Sequence, residues 1–263
     1  VSEVSQSIDD PVGAAIADAM PASLAAKAAQ PFSRMTVLAV LAGAFIAFGS
    51  IVSLVVQANM GDSGLVSLLS GIAFSVGLIL VMIVGAELFT GNTMMVLPAL
   101  TGDLARVRLM RAWLVVWIGN LIGSVMIAVL FAATGGMADG VGEAAIAVSE
   151  SKLSKAPSEI FCSAIMANVL VCLAVWMASE AKTLPAKIMA ILGPITIFVA
   201  AGLEHSIANM SLLPLGWLAP GSAPVDWIGG MSNLALSTIG NIVGGCALAL
   251  GIAYGHDAIR KAK

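Results

Sequence analysis

Charge is what this chain has least of. Only 10% of its 263 residues are charged and 59% are hydrophobic, where a soluble domain carries roughly one-quarter charged residues. With a mean hydropathy of +1.02, this shortage excludes a soluble globular protein and leaves a polytopic membrane protein. Cysteine is equally sparse. Cys162, Cys172 and Cys246 have neither paired spacing nor zinc-ligand company, so no disulfide framework or metal site is expected. They read as buried thiols packing as small hydrophobes. Missing too are an activated-nucleophile motif, a metal-ligand cluster and a nucleotide loop, which argues against an enzyme. Neither a cofactor nor a nucleic-acid partner is expected.

What the chain does have is long charge-free runs: Met35–Gly61, Ser63–Ala86, Ala112–Ala138, Ile160–Ser179, Ile188–Leu203 and Trp227–Gly255. About 20 apolar residues cross the hydrocarbon core as a helix. The Ile188 run falls short, but Glu204 interrupts it and Ser206–Leu213 continues it. Six crossings is the simplest count, and the fold class is all-α.

Basic residues favour the cytoplasmic side. Lys27 and Arg34 precede the first run, Arg106, Arg108 and Arg111 lie between the second and third, Lys182 and Lys187 between the fourth and fifth, and Arg260, Lys261 and Lys263 at the end. The alternate loops carry Asp62, then Asp139, Glu143, Glu150, Lys152, Lys155 and Glu159, then Asp226. Both termini are therefore expected in the cytoplasm. The expected organisation is a cytoplasmic amphipathic segment (1–31), a channel domain (32–256) and a short cytoplasmic tail (257–263). In the first of these, Ala15, Ile16, Met20, Leu24 and Ala25 recur at near-helical spacing, which suggests a helix lying on the membrane surface. The acidic start (Glu3, Asp9, Asp10) is unlike a signal peptide.

Two polar interruptions stand inside apolar runs. Gly85-Ala-Glu87-Leu-Phe-Thr-Gly-Asn92 and Gly202-Leu-Glu204-His205-Ser-Ile-Ala-Asn209 share one spacing: glycine, glutamate two residues on, asparagine five beyond. A carboxyl group at membrane depth is costly and faces protein interior or a watery path. Matched interruptions in two halves of a chain mark a transporter's binding site. A second echo, Gly119-Asn120-Leu-Ile-Gly123 and Gly240-Asn241-Ile-Val-Gly244, has the small-residue spacing that lets helices approach closely. Each half then holds three crossings, and an odd number makes the second half an inverted copy of the first.

A broken helix leaves backbone N–H and C=O groups that hydrocarbon cannot satisfy. Thr90, Gly91, Asn92, Ser206 and Asn209 are candidates to meet them, and Glu87 and Glu204 are expected to accept bonds from loop N–H groups. Bracing of the break is the preferred role for both glutamates, ahead of a proton relay. Exposed half-helix N-termini would suit an anion. His205 is the exception to bracing: an imidazole at a helix break in mid-membrane suits proton exchange near neutral pH.

Glu-Leu-Phe-Thr-Gly-Asn (87–92), Asn-Val-Leu-Val-Cys-Leu-Ala-Val-Trp (168–176) and Gly-Leu-Glu-His-Ser-Ile-Ala-Asn-Met (202–210) resemble signatures of the formate–nitrite transporter family, over about Phe32 to Gly255. The resemblance implies an aquaporin-like protomer with its own pore, a homopentamer, a bacterial cytoplasmic membrane and a small monovalent anion or its conjugate acid as substrate. Formate leads, with nitrite and hydrosulfide as alternatives. By the same resemblance, His205 matches the central pore histidine. Thr90 and Asn168 match its polar neighbours, Asn241 a pore-facing asparagine and Lys152 a vestibule lysine. Phe74, Leu78, Phe89, Val171 and Phe198 match apolar constrictions on either side. Phe74 and Leu78 sit four apart, on one helical face. Without the resemblance, Lys152 would read as a solvated loop charge and the Phe and Leu residues as core.

A bare anion in a dry constriction faces a desolvation penalty of up to tens of kcal/mol in an idealised low-dielectric medium, and a neutral weak acid far less. The expected mechanism draws the anion in by positive potential. It then neutralises the anion by protonation, from His205 or from water through it, before the apolar ring. The rival is passage of the anion itself with His205 as hydrogen-bond donor. Other classes fit less well. A neutral-solute channel of aquaporin type would carry Asn-Pro-Ala, which neither break does. A membrane-embedded enzyme could use Glu204 and His205 as an acid–base pair, but has no other machinery. An anchor subunit has no use for matched charged breaks.

Overall fold

A computed structural model describes residues 13–60 and 63–261 of the chain. The charges noted at Glu3, Asp9, Asp10, Asp62 and Lys263 fall outside these residues. The described chain is helical throughout: α1 (Ala14–Ala28), α2 (Phe32–Met60), α3 (Gly64–Val84), α4 (Phe89–Asn92), a 3-10 turn (Thr93–Met95), α5 (Val96–Thr101), α6 (Arg106–Ala133), α7 (Val141–Leu153), α8 (Pro157–Ser179), α9 (Leu184–Ala200), α10 (Ser206–Leu218), α11 (Trp227–Gly255) and a final 3-10 turn (Ala258–Lys261).

Five of these helices, α2, α3, α6, α8 and α11, are long and apolar enough to cross a membrane. At 17 residues α9 is shorter, as the interrupted fifth run suggests, and α10 takes up the chain beyond the break. Starts are set by side chains that occupy orphan N–H groups of the first turn. Ser63 accepts from Val66 N–H (3.3 Å), Thr183 from Ala186 N–H (3.3 Å) and Asp226 from Gly229 N–H (2.8 Å). The third apolar run is offset from its helix. α6 begins six residues earlier, at Arg106, and ends at Ala133. A helix continues past the hydrocarbon where its charged first turns reach solvent, so Arg106, Arg108 and Arg111 ride on it.

Both interruptions are real breaks. α3 stops at Gly85 in the left-handed region (φ 73°), and Gly202 (φ 60°) follows α9 in the same way. A residue with a Cβ is strained there, which explains glycine two before each glutamate. Close approach explains the second echo. α2 packs on α6 and α8 on α11. A Cβ on Gly123 would collide with the Val40 carbonyl, and one on Gly244 with that of Ile165.

Two segments differ from expectation. The connector between the third and fourth runs contains a helix, α7, packed on α10. Its contact is made by small residues: a Cβ on Gly216 of α10 would run into Ser149, so no run of large apolar residues announces it. α1 forms as expected, but Ile16, Ala17, Met20, Leu24 and Ala28 are buried against α5, α8 and the 3-10 turn before α5. Its apolar face is covered by protein rather than by the membrane surface, and Ala15 is exposed.

Candidate functional site

The second break leaves His205 at the N-cap of α10, only 1% exposed. Its Nδ1 accepts the Ala208 N–H (3.1 Å), so the proton of the neutral ring is assigned to Nε2. That nitrogen lies 2.9 Å from Thr90 Oγ1, which the first break supplies. The two breaks therefore meet at an imidazole–hydroxyl contact. Asn168 joins them: its Nδ2 donates to the Thr90 carbonyl (3.2 Å), to Thr93 Oγ1 (3.1 Å) and to the Asn241 carbonyl. The ring of Phe198 lies 5.5 Å from that of His205, and Phe74 meets Phe198 edge to face at 5.5 Å.

Cavities flank this contact. A cavity of about 450 Å³ is lined by Phe74, Phe198, Lys152, Lys155, Gln57 and neighbours. A smaller one of about 40 Å³ lies under α1, lined by Lys27, Leu88, Asn92, Val81 and Val175 among others. Neither lining includes His205, Thr90, Leu78, Phe89 or Val171, all of which are buried. Phe89 is packed edge-on against Trp113 at 6.4 Å. The two linings share no residue, so the cavities are separate in this conformation.

Among the described residues, the Glu87 and Glu204 carboxylates accept from side chains and not from loop N–H groups. Glu87 accepts from Gln30 Nε2 (2.7 Å), Asn92 Nδ2 (2.9 Å) and Lys27 Nζ (3.4 Å). Glu204 accepts from Lys155 Nζ (2.6 Å), Lys152 Nζ (3.2 Å), Asn209 Nδ2 (2.7 Å) and Asn233 Nδ2 (3.4 Å). The shared glutamate-to-asparagine spacing thus closes a carboxylate–amide contact across each break. Burial pushes the Lys152 ammonium below the ordinary lysine range, with Glu204 opposing and Lys155 reinforcing that shift.

The loop backbone turns instead to two asparagines. Asn120 accepts the Phe89 N–H (2.9 Å) and donates to the carbonyls of Ala39 (2.8 Å) and Glu87 (2.9 Å). Asn241 accepts the Ser206 N–H (2.8 Å) and donates to the carbonyls of Ala164 (2.8 Å) and Glu204 (3.0 Å). The two sets are equivalent member for member, as inverted copies require. A neutral amide suits the task better than a carboxylate, because a break exposes acceptors as well as donors and only the amide serves both.

This revises one expectation. Asn241 is fully buried with its amide engaged by the break, where the resemblance had it facing the pore. At the half-helix N-termini, the N–H groups of Phe89, Ser206 and Ala208 are held by Asn120, Asn241 and His205. Positive charge near the larger cavity comes from lysines. Asn120, Gln30, Lys27, Lys155 and Asn233 are site residues that sequence reasoning did not single out. Two signals were available: the echo that pairs Asn120 with Asn241, and a lysine at a corresponding place before the first helix of each half, Lys27 and Lys152.

The family profile described as Formate/nitrite transporter matches residues 14–255. Formate channel FocA of Escherichia coli (strain K12) is 35% identical over 241 residues, covering 82% of this chain and 84% of that protein. Nitrite transporter NirC of Salmonella typhimurium is 34% identical over 216 residues, covering 81% and 79%. Among solved structures, one described as an FNT family ion channel superposes with a TM-score of 0.82 at 32% identity, over 92% of this chain and 98% of that one. A pentameric formate channel with formate bound gives 0.78 at 35%, over 87% and 98%. Matched breaks, inverted asparagine braces and these likenesses agree: the chain belongs to the formate/nitrite transporter family.

Proposed function

We propose that this protein passes a small monovalent anion, or its conjugate weak acid, across the bacterial cytoplasmic membrane, with formate the leading substrate. The observation that carries this is the buried His205–Thr90 contact, walled by Phe74 and Phe198 and flanked by a cavity bearing lysines. The proposed working unit is a homopentamer of six-crossing protomers (32–256), each with its own passage. The segment 1–31 and the tail 257–263 lie in the cytoplasm. Supporting that orientation, Lys27, Arg34, Arg106, Arg108, Arg111, Lys182 and Lys187 all fall on one side of the spans. The protein transports and does not convert its substrate chemically.

The anion enters the larger cavity toward Lys152 and is neutralised before the Phe74–Phe198 pair. The proton comes from the bulk solution, as hydronium that reaches the cavity and leaves water behind, rather than from the imidazole. A neutral ring is a poor acid, and an imidazolium would need a proton on Nδ1, at the cost of the Ala208 cap. His205 Nε2–H and the Thr90 hydroxyl then give the neutral acid hydrogen bonds halfway through an otherwise apolar stretch. Lys152, Phe74, Phe198, Thr90 and Asn168 serve this passage directly. Leu78, Phe89 and Val171 close it on the far side. Glu87, Asn92, Glu204, Asn209 and Asn241 maintain the breaks. Nitrite is the second reading, on the likeness to NirC.

A substrate panel in proteoliposomes at two pH values tests this. Formate is expected to enter faster than acetate or lactate, and faster at the lower pH. Entry no faster than into protein-free liposomes, for every anion including nitrite and hydrosulfide, would remove the transport reading.

A further inference from the structure

The inverted symmetry reaches beyond the membrane spans. Lys27 and Gln30 lie three residues apart just before α2, and Lys152 and Lys155 lie three apart just before α8. Lys27 meets Glu87 on Oε2, and Lys152 meets Glu204 on Oε2. Gln30 donates to Glu87 Oε1 at 2.7 Å; Lys155 donates to Glu204 Oε1 at 2.6 Å. The two clamps have the same parts in the same order, with one substitution of charge. On the α1 side a single ammonium faces a carboxylate, and the cluster is neutral. On the α7 side two ammoniums share one carboxylate, and the cluster keeps one positive charge.

We infer that Lys155 is a positioning residue that makes the two mouths unequal, neutralising Glu204 so that the charge of Lys152 remains for the anion. This rests on the transport reading and adds a difference between sides. Lys155 also holds the Gly202 carbonyl (2.8 Å), which fixes its ammonium at the break. The charged lining of the larger cavity, among the described residues, is Lys152 and Lys155, and that of the smaller is Lys27. The side chains of Lys152 and Lys155 are 11% and 25% exposed, so solvent screens them less than a surface charge. Arg111 reaches the Gln30 carbonyl but is exposed and lines neither cavity, so ions screen its field.

Initial formate uptake into proteoliposomes of sorted orientation measures the inequality as a half-saturating concentration from each face. One net charge at this burial should lower that concentration on the α7 face by about three- to tenfold at low salt. Lys155→Gln copies what Gln30 already does and should raise the α7-face value by the same factor at unchanged maximal rate. Lys155→Arg should restore it. Gln30→Lys should lower the α1-face value, and it carries the test alone if Lys155→Gln does not assemble. Equal half-saturation from both faces of a transporting wild type, or a Lys155→Gln effect on maximal rate alone, would overturn the inference and leave transport standing. Absence of uptake by the wild type would take down both.

Discussion

Asn241→Leu is expected to destabilise the protein by about 2 kcal/mol or more, because it strands the Ser206 N–H and the Glu204 C=O at roughly 1–3 kcal/mol each. Water cannot reach the Ser206 N–H or the Glu204 carbonyl, and hydrocarbon offers them nothing; the Ala164 carbonyl keeps its bond within α8. Asn120→Leu should do the same at the other break, through the Phe89 N–H and the Glu87 carbonyl. Asn59→Leu is the control: that amide is exposed and, among the described residues, bonds to Val55 of its own helix, so a change within about 0.5 kcal/mol is expected. Melting in detergent, followed by size-exclusion fluorescence, reads all three. A stable Asn241→Leu protein with altered flux would instead make this amide a contact of the permeating species.

His205→Ala is expected to lower formate flux by roughly ten- to hundredfold, the worth of a lost hydrogen bond of about 1.5–3 kcal/mol in a dry passage. It removes both the donor at Thr90 and the cap at Ala208. His205→Asn separates the two roles. Asparagine is among the best N-cap residues and keeps an N–H donor, so its flux should stay within about tenfold of wild type. Unchanged flux in His205→Ala, with the melting temperature retained, would mean the imidazole takes no part in passage.

The architecture was legible where chemistry is local. Glycine two residues before each glutamate is a helix stop, and the structure makes it one at Gly85 and Gly202. The echo around Asn120 and Asn241 marked close helix packing, which the glycines supply. Less legible was the division of labour between polar residues. Glutamate looked like the natural acceptor for loop N–H groups, yet a break needs donors as well, and only the amides answer both demands. The carboxylates were left to partners far along the chain, Lys27 and Gln30 in one half, Lys152 and Lys155 in the other. Those pairings depend on α1 and α7 folding back over the breaks. α7 was not foreseen because alanine, glycine and serine make its contact, and such residues give a sequence no apolar stripe.

Proton movement with substrate tests the central claim most directly. Proteoliposomes holding a pH-sensitive dye, given a formate gradient and no pH difference, should show the dye responding as formate enters, with one proton arriving per formate. Abolishing the membrane potential with an ionophore should not change the rate. Formate entry that leaves the internal pH unmoved and follows the membrane potential would mean that the bare anion crosses, and would contradict neutralisation before the Phe74–Phe198 pair.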